Sequence, residues 1–250
     1  MVDETRYPLL NNLWAKEAGA HSVARPVCRC LDPQYQKKAP WPELKLHTEV
    51  QDRTCSGWAR LLELIDAAAS DGREEFSPGP EMTPEQWSQI TELPPSIAKL
   101  KAVKHLILYG SSLVRMPVEI GEMESLEQFT PYTSYRLHWF PFEILRCTRL
   151  KRSTVSTRAL YGNYKYRPPF PRLPQVHDAY TPRACSVCNS LFGECKPLQM
   201  WVSLRVATDV LPLLVHACSK DCLANLPTPP EGYVQMPHRG GLGLAQPPCK

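Results

Sequence analysis

The sequence contains no run of about 18 apolar residues, the length that a membrane-spanning helix requires. Its first residues include Asp3 and Glu4 and form no apolar segment of the signal-peptide type. We therefore expect a cytoplasmic protein with no membrane partner. Because a reducing compartment disfavours structural disulfides, the ten cysteines indicate metal or redox chemistry instead.

The sequence also lacks the motifs of several common enzyme classes. It has no Gly-rich phosphate-binding loop, no nucleophile elbow and no His-Glu-x-x-His segment. We therefore expect a protein that is not an enzyme. A cysteine that acts on a bound partner is the enzyme alternative, but no residue is singled out for that role. The net charge of +4 is too small to establish a polyanion partner.

Glycine is scarce and proline is abundant, with 12 and 26 residues respectively. Many of the prolines fall in loop-like clusters, so we expect modest elements joined by stiff connectors. The hydrophobic content of 43% and the charged content of 22% are ordinary for a globular protein. A chain of 250 residues has room for one large domain or two small ones.

An amphipathic helix is predicted from about Cys55 to Ser70. Its apolar residues recur at the spacing of one helical face: Trp58, Leu61, Leu62, Ile65 and Ala69. Asp52 or Thr54 can cap its start, and Asp71-Gly72 supplies a stop signal.

The middle of the chain holds an internal repeat. An apolar residue followed by proline recurs at Leu93-Pro94, Met116-Pro117 and Phe140-Pro141, at intervals of 23 and 24 residues. Apolar residues follow each pair at matching positions, such as Ile97, Ile120 and Ile144. A fixed period of this size indicates units that bury their apolar edges only by stacking on one another. Ordinary alternating helices and strands with a coincidental period are the alternative.

The first unit, Leu93-Pro94-Pro95-Ser96-Ile97 through Leu106-Ile107-Leu108, resembles a leucine-rich repeat of the Leu-Pro-x-x-Ile subclass, and the resemblance covers roughly residues 74–163. Pro131 and Ser153 depart from it where strand leucines are usual, and Ser111, Ser134 and Arg158 replace the usual asparagine. The resemblance implies an α/β solenoid: a short repeat array with a curved sheet, capped by the N-terminal helix at one end and by the C-terminal region at the other. The cysteine pattern described below predicts that this C-terminal region is a small zinc-binding α+β domain.

In the leucine-rich-repeat family the strand positions between the buried leucines are exposed. They correspond here to His105, Ile107, Tyr109, Gln128, Thr130, Tyr132, Arg152, Thr154 and Ser156. Aromatic, hydroxyl and basic side chains together suit a polypeptide ligand. The resemblance and this composition favour a protein–protein interaction module that recognises a protein partner through the repeat sheet.

Charge is distributed unevenly along the repeats. Residues 61–92 carry eight acids and one base, whereas residues 144–177 carry eight bases and no acid, with tyrosines interleaved. The basic stretch 146–172 can hold nucleic-acid phosphates while its aromatic residues stack on bases. The second hypothesis is therefore an accessory protein that binds nucleic acid through this stretch and the C-terminal zinc finger described below. A solvated basic face and recognition of an acidic protein segment are the other interpretations.

Two close cysteine pairs carry the clearest chemical pattern. Cys185 and Cys188 form one pair, and Cys218 and Cys222 form the other. Two such pairs can bring four thiolates to one tetrahedral Zn²⁺ ion. A closed four-sulfur site leaves no open coordination position, so the zinc is expected to be structural. The segments 200–206 and 210–215, between the pairs, are predicted to form a β-hairpin with its turn near Thr208-Asp209.

The segment Cys218-Ser219-Lys220-Asp221-Cys222-Leu223, at the start of a predicted helix over residues 219–226, resembles the second half of a treble-clef zinc finger. The glycine common after the first pair is absent, and 29 residues separate the pairs, which is a long spacing. A redox Cys-x-x-Cys is one alternative. Replacement of one ligand by Cys195 or His216 is another.

These observations predict five segments. They are an irregular N-terminal arm (1–53), a helical cap with repeats (54–163), a proline-rich connector (164–176), a zinc-finger-like domain (177–238) and a tail (239–250).

Overall fold

The computed structural model describes residues 41–156, 160–173 and 181–248. Within these ranges the chain forms two β-sheets, short 3₁₀ helices and few α-helices. The α-helices are α1 (Ser56–Asp71), α2 (Pro84–Ser88) and α3 (Lys220–Ala224). The strands are β1 (Glu75–Phe76), β2 (His105–Ile107), β3 (Gln128–Thr130), β4 (Phe140–Pro141), β5 (Arg152–Ser153), β6 (Leu198–Val206) and β7 (Asp209–Ala217). No helix in the described ranges combines the length and the apolar character needed to cross a membrane.

Helix α1 confirms the amphipathic pattern read from the sequence. Its buried face includes Trp58, Leu61 and Ile65. The N-cap is Cys55, whose Sγ accepts a hydrogen bond from the backbone N–H of Trp58 at 3.4 Å, rather than Asp52 or Thr54. The helix ends at Gly72, which adopts the left-handed conformation that glycine tolerates, with φ of 67°.

The first sheet is parallel and has the strand order β1-β2-β3-β5. Its register aligns Glu75, His105, Gln128 and Arg152 in one row across the strands. Five-residue 3₁₀ helices connect the strands at Pro95–Lys99, Val118–Glu122 and Phe142–Arg146. A proline immediately precedes each of these helices, and a preceding helix could not continue through it. Each helix is five residues long, a length at which the 3₁₀ form is common.

The second sheet has the strand order β4-β7-β6, with β4 parallel and β6 antiparallel to β7. Strands β6 and β7 form the hairpin predicted between the cysteine pairs, with Ala207 and Thr208 at the turn. The third apolar-proline pair, Phe140-Pro141, belongs to this sheet, where it pairs with Leu213 and Leu214. The described part of the C-terminal region is therefore joined to the middle of the chain through the pairing of β4 with β7.

The predicted α/β solenoid with a small C-terminal α+β domain is wrong. The structure instead has a parallel four-stranded sheet and a mixed three-stranded sheet with few helices. One hydrophobic core runs through both, and it contains Leu61 of α1, Leu106 of β2 and Leu213 of β7. The periodicity revealed which residues are buried, but it did not show that the hairpin would complete the same core. The proposed segment boundaries remain predictions.

The hairpin turn covers the outer edge of the parallel sheet at β5. The backbone N–H of Ser153 donates to Thr208 Oγ1 at 3.1 Å, and Thr208 Oγ1 donates to the carbonyl of Ser153 at 2.8 Å. The hydroxyl of Ser153 donates to the carbonyl of Val206 at 2.9 Å. These bonds pair backbone groups that an edge strand would otherwise expose. They also explain why a serine replaces the expected leucine at this position.

Two serines form hydrogen bonds between neighbouring strand ends, at positions where the leucine-rich-repeat resemblance predicts asparagine. The hydroxyls of Ser111 and Ser134, both buried, lie 2.7 Å apart. Ser134 Oγ accepts from the backbone N–H of Ser111 and donates to the carbonyl of Leu108. Arg158, the third such position, lies outside the described residues.

Of the predicted N-terminal arm, residues 1–40 lie outside the described residues, and residues 41–53 form no helix or strand. Gln51 is buried at the end of this segment. Its Oε1 accepts from the backbone N–H groups of Thr91 and Glu92, and its Nε2 donates to the carbonyl of Gln89. Gln51 therefore pairs backbone groups just before the first apolar-proline pair, Leu93-Pro94.

The predicted connector is described as far as Leu173, and residues 174–176 lie outside the described residues. Phe170 and Leu173 are buried in a second cluster with Trp139 and Trp201. The indole N–H of Trp201 donates to the carbonyl of Pro171 at 2.9 Å. This segment is thus packed against the hairpin through its aromatic and apolar side chains.

The continuous core gives a test of which strand residues carry stability. Leu106→Ala removes a fully buried side chain from β2, so we expect the free energy of unfolding to fall by about 2–5 kcal/mol. Gln128→Ala, on the half-buried face of β3, is the matched control and should change it by less than about 0.5 kcal/mol. Urea denaturation followed by circular dichroism measures both. Equal losses at the two positions would contradict the assignment of the buried face.

Candidate metal centre

The four predicted ligands Cys185, Cys188, Cys218 and Cys222 lie together. Their Sγ atoms are all within 4.8 Å of one another. The Sγ of Cys218 lies 3.6 Å from that of Cys188 and 3.5 Å from that of Cys222. Sulfurs at the corners of a tetrahedral site with 2.3 Å metal–sulfur bonds are about 3.8 Å apart. All four are free thiols, and together they can hold a metal ion.

The first cysteine pair lies on a tight turn. The backbone N–H of Cys185 donates to the carbonyl of Ser190 at 2.8 Å, and the N–H of Asn189 donates to the carbonyl of Cys185 at 3.0 Å. Asn189 has a φ of 61°, in the left-handed region. Asparagine is the residue that most often replaces glycine in this conformation. Asn189 therefore fills the position where the sequence lacked the expected glycine.

The second pair is placed by the end of β7 and the start of α3. Cys218 directly follows β7, which ends at Ala217. Ser219 is the N-cap of α3, and its hydroxyl accepts from the backbone N–H of Cys222 at 3.1 Å. The cap fixes the first turn of the helix, so Cys222 is held beside Cys218. This arrangement confirms the short helix predicted at the second pair.

Two hydrogen bonds attach the cysteine turn to the hairpin. The backbone N–H of Ser186 donates to the carbonyl of His216 at 2.8 Å, and the N–H of His216 donates to Ser186 Oγ at 3.0 Å. These bonds bring the first pair to the end of β7, where the second pair begins. Ser186 could not be identified from the sequence, because a serine between two cysteines has no distinctive pattern.

The environment of the cluster favours thiolates at some positions. The Sγ of Cys185 accepts backbone N–H groups of Val187 and Cys218, each at 3.4 Å. Hydrogen bonding to the side chain and backbone of Ser190 lowers the pKa of Cys188 to about 6. Hydrogen bonding to the sulfurs of Cys222 and Cys188 raises the pKa of Cys218 to about 12, because these contacts stabilise the protonated thiol. A bound cation would favour the thiolate form of all four cysteines.

The two alternative ligands do not belong to the cluster. Cys195 is exposed, and His216 is buried with no hydrogen-bond partner for either ring nitrogen among the described residues. Among the described residues, only the four proposed cysteines have their sulfur atoms close enough together to share an ion, and neither Cys195 nor His216 is one of them.

The nine proposed partner-binding positions are distributed between the surface and the interior. Tyr132, Arg152 and Thr154 are exposed, and His105, Tyr109, Gln128 and Thr130 are half-buried. Ile107 and Ser156 are buried, so they are not the surface residues that the repeat register implied. The alternation nevertheless holds around them, because Leu106, Leu108 and Phe129 are fully buried on the opposite face.

No family model matches the sequence, and no curated protein matches it either. The resemblances to leucine-rich repeats and to treble-clef fingers therefore remain predictions.

The left-handed residue in the cysteine turn is open to a direct test. Asn189→Val places a β-branched residue at a φ of 61°, which costs about 1–2 kcal/mol, so affinity for Zn²⁺ should fall by about tenfold. Asn189→Gly should bind at least as tightly as the parent protein. Lys196→Val, at an exposed site outside the turn, is the control. Competition with a chromophoric chelator measures the affinity, and equal affinities in the two Asn189 variants would contradict the role of the turn.

Proposed function

We propose that this chain is a non-catalytic protein–protein interaction module. It binds a polypeptide through the exposed face of its parallel sheet, and a structural zinc ion at the four cysteines fixes its C-terminal region. The observation that carries the proposal is the row of accessible aromatic and polar side chains on the sheet, opposite its fully buried face. A cytoplasmic location belongs to the same proposal, and the free cysteines support it.

Zinc is the ion that best suits the cluster. Four sulfur ligands in a tetrahedral arrangement are typical of structural zinc sites, and iron is the other common occupant of such a site. The positions of the ligands, on a tight turn and at a helix start after a hairpin, support a treble-clef-like finger. Four protein ligands complete the coordination of zinc, which supports a structural role and not a catalytic one.

The zinc proposal predicts about one equivalent of Zn²⁺ in the purified protein. Cys188→Ser and Cys222→Ser should each release the metal and lower the melting temperature, because binding free energy contributes to folding. Cys195→Ser is the matched control, since Cys195 is an exposed cysteine outside the cluster. Elemental analysis and thermal melts provide the measurements. If the Cys188→Ser variant kept its metal and the Cys195→Ser variant lost it, the proposed ligand set would be wrong.

The centre of the proposed recognition surface is a pair of tyrosines. The rings of Tyr109 and Tyr132, which follow β2 and β3, are 6.1 Å apart, and Tyr132 is 45% exposed. Partly exposed aromatic side chains that are already packed together lose little conformational entropy when a partner covers them. Tyrosine is also among the residues that contribute most at protein interfaces. These contacts support a polypeptide ligand over this part of the sheet.

The charges across the sheet favour one orientation of that ligand. The row formed by the register runs from Glu75 in β1 to Arg152 in β5, and both of these side chains are exposed. His105 lies next to Glu75, with 3.5 Å between Nδ1 and Oε2. A bound segment with a basic end over β1 and an acidic end over β5 would match this gradient.

Nucleic-acid binding is the second candidate, because Arg146, Arg149, Lys151 and Arg152 are all exposed within one short stretch. Phosphate contacts by such residues would make the affinity fall steeply with salt. Lys151 is already paired with Glu127 at 3.1 Å, which reduces the charge available to a phosphate. This pairing and the small net charge favour the protein-recognition proposal.

The two candidate functions predict opposite mutant patterns. We expect affinity capture with the intact protein, followed by mass spectrometry, to lose its protein partners when Tyr109 and Tyr132 are changed to alanine. Tyr164→Ala, an exposed tyrosine of the connector, is the control. Charge reversal at Arg149, Lys151 and Arg152 should mainly slow association. The ranking would be overturned if a labelled 20-nucleotide RNA or DNA bound tightly, lost its affinity in the triple charge-reversal variant and kept it in the variant that lacks both tyrosines.

A further inference from the structure

The exposed face of the parallel sheet carries opposite charges at its two ends. Glu75 in β1 and Arg152 in β5 belong to one row of the strand register, and both residues are exposed. The side chain of Glu75 is 60% exposed, so a partner can reach its carboxylate. Burial lowers the pKa of the adjacent His105, so its imidazole is neutral at pH 7 and does not cancel the charge of Glu75.

The charges beside this row are paired within the chain. Lys104, which precedes β2, contacts the carboxylate of Glu74. Lys151, which precedes β5, lies 3.1 Å from Glu127, measured between Nζ and Oε2. These flanking pairs contribute little net charge, so the electrostatic character of the face is set by the acid at β1 and the base at β5.

A row with this charge order is complementary to a copy of itself. When two such sheets pack face to face about a two-fold axis parallel to the strands, the axis exchanges the outer strands and also the inner ones. Glu75 of each copy then lies over Arg152 of the other, and His105 lies over Gln128. Facing sheets are about 10 Å apart, a distance that a glutamate and an arginine side chain span together.

The same axis brings the tyrosines of the two copies together. The backbone N–H of Gly110 donates to the carbonyl of Tyr132 at 2.9 Å, which keeps Tyr109 and Tyr132 level with each other beyond the ends of β2 and β3. Exchange of the two inner strands places Tyr109 of each copy over Tyr132 of the other. Four aromatic rings would then meet between the two sheets, where buried tyrosines contribute most to association.

We propose that this sheet face binds the same face of a second copy of the chain, in a closed dimer whose two-fold axis runs parallel to the strands. The inference rests on the proposed function, because it names the polypeptide that the same surface recognises. Open head-to-tail growth through the sheet edges is disfavoured, because Thr208 of the hairpin turn bonds the backbone of Ser153 at the β5 edge. The face is only about 14 Å wide from β1 to β5, so we expect a weak dimer with a dissociation constant of about 10–100 µM.

Sedimentation equilibrium of the full chain, from about 10 to about 500 µM, measures the association. Glu75→Arg and Arg152→Glu should each weaken it by about tenfold or more, because each creates two like-charge contacts per dimer. The double variant should associate within about threefold of the parent protein, because its contacts again join an acid to a base. Glu194→Arg and Lys196→Glu make the same charge changes at exposed sites outside the sheet, and they should have no effect.

An equimolar mixture of the two single variants gives the sharpest test. In a dimer that contains one copy of each, both contacts pair an arginine with a glutamate, so the mixture should associate although neither variant does so alone. Thermal melts of each variant show that it is folded. A chain that stays monomeric at every concentration, or one that forms assemblies larger than a dimer, would overturn the inference. So would single variants that associate like the parent protein, or failure of both the double variant and the mixture to restore association.

Affinity capture run in parallel separates this inference from the proposed function. A monomeric chain that captures another protein, and loses it when Tyr109 and Tyr132 are changed to alanine, would overturn the dimer and leave the proposed function standing. A monomeric chain with no tyrosine-dependent partner would overturn both.

Discussion

The hydrogen bonds between Ser153 and the hairpin turn are the constraint on which the rest of the architecture depends. A parallel sheet of very short strands ends in an edge whose backbone groups need partners. The hydroxyl of Thr208, in the turn between β6 and β7, bonds both backbone groups of Ser153, and the carbonyl of Val206 accepts from the Ser153 hydroxyl. This contact fixes one end of the hairpin on the first sheet, while β4 pairs with β7 in the second. The cysteine cluster follows directly from this placement, because β7 leads into Cys218.

Local patterns in the sequence predicted the local structure well. The helical periodicity around Leu61 identified α1, alternation identified the buried faces of β2 and β3, and cysteine spacing identified the four cysteines that lie together. These features depend on residues close together in sequence. The arrangement of the two sheets was not predictable in the same way, because the pairing of Phe140 with Leu213 spans 73 residues and no sequence period records it.

The errors at single positions have the same origin. A repeat register assigns Ile107 and Ser156 to the exposed face, yet both are buried. Burial depends on everything that packs against a strand, whereas alternation reports only which face a residue shares with its neighbours. The absence of the glycine that is common in treble-clef turns is a related case. Its physical requirement was a left-handed residue, and asparagine meets that requirement at Asn189.

The buried amide of Gln51 has a consequence for where a stable fragment of this chain can begin. Its oxygen and nitrogen bond three backbone groups at Gln89, Thr91 and Glu92, just before the first apolar-proline pair. A fragment trimmed at the start of α1 would keep the whole helix but remove the side chain that bonds these three backbone groups. Protease trimming should therefore stop on the N-terminal side of residue 51, and the irregular segment there belongs to the minimal folding unit.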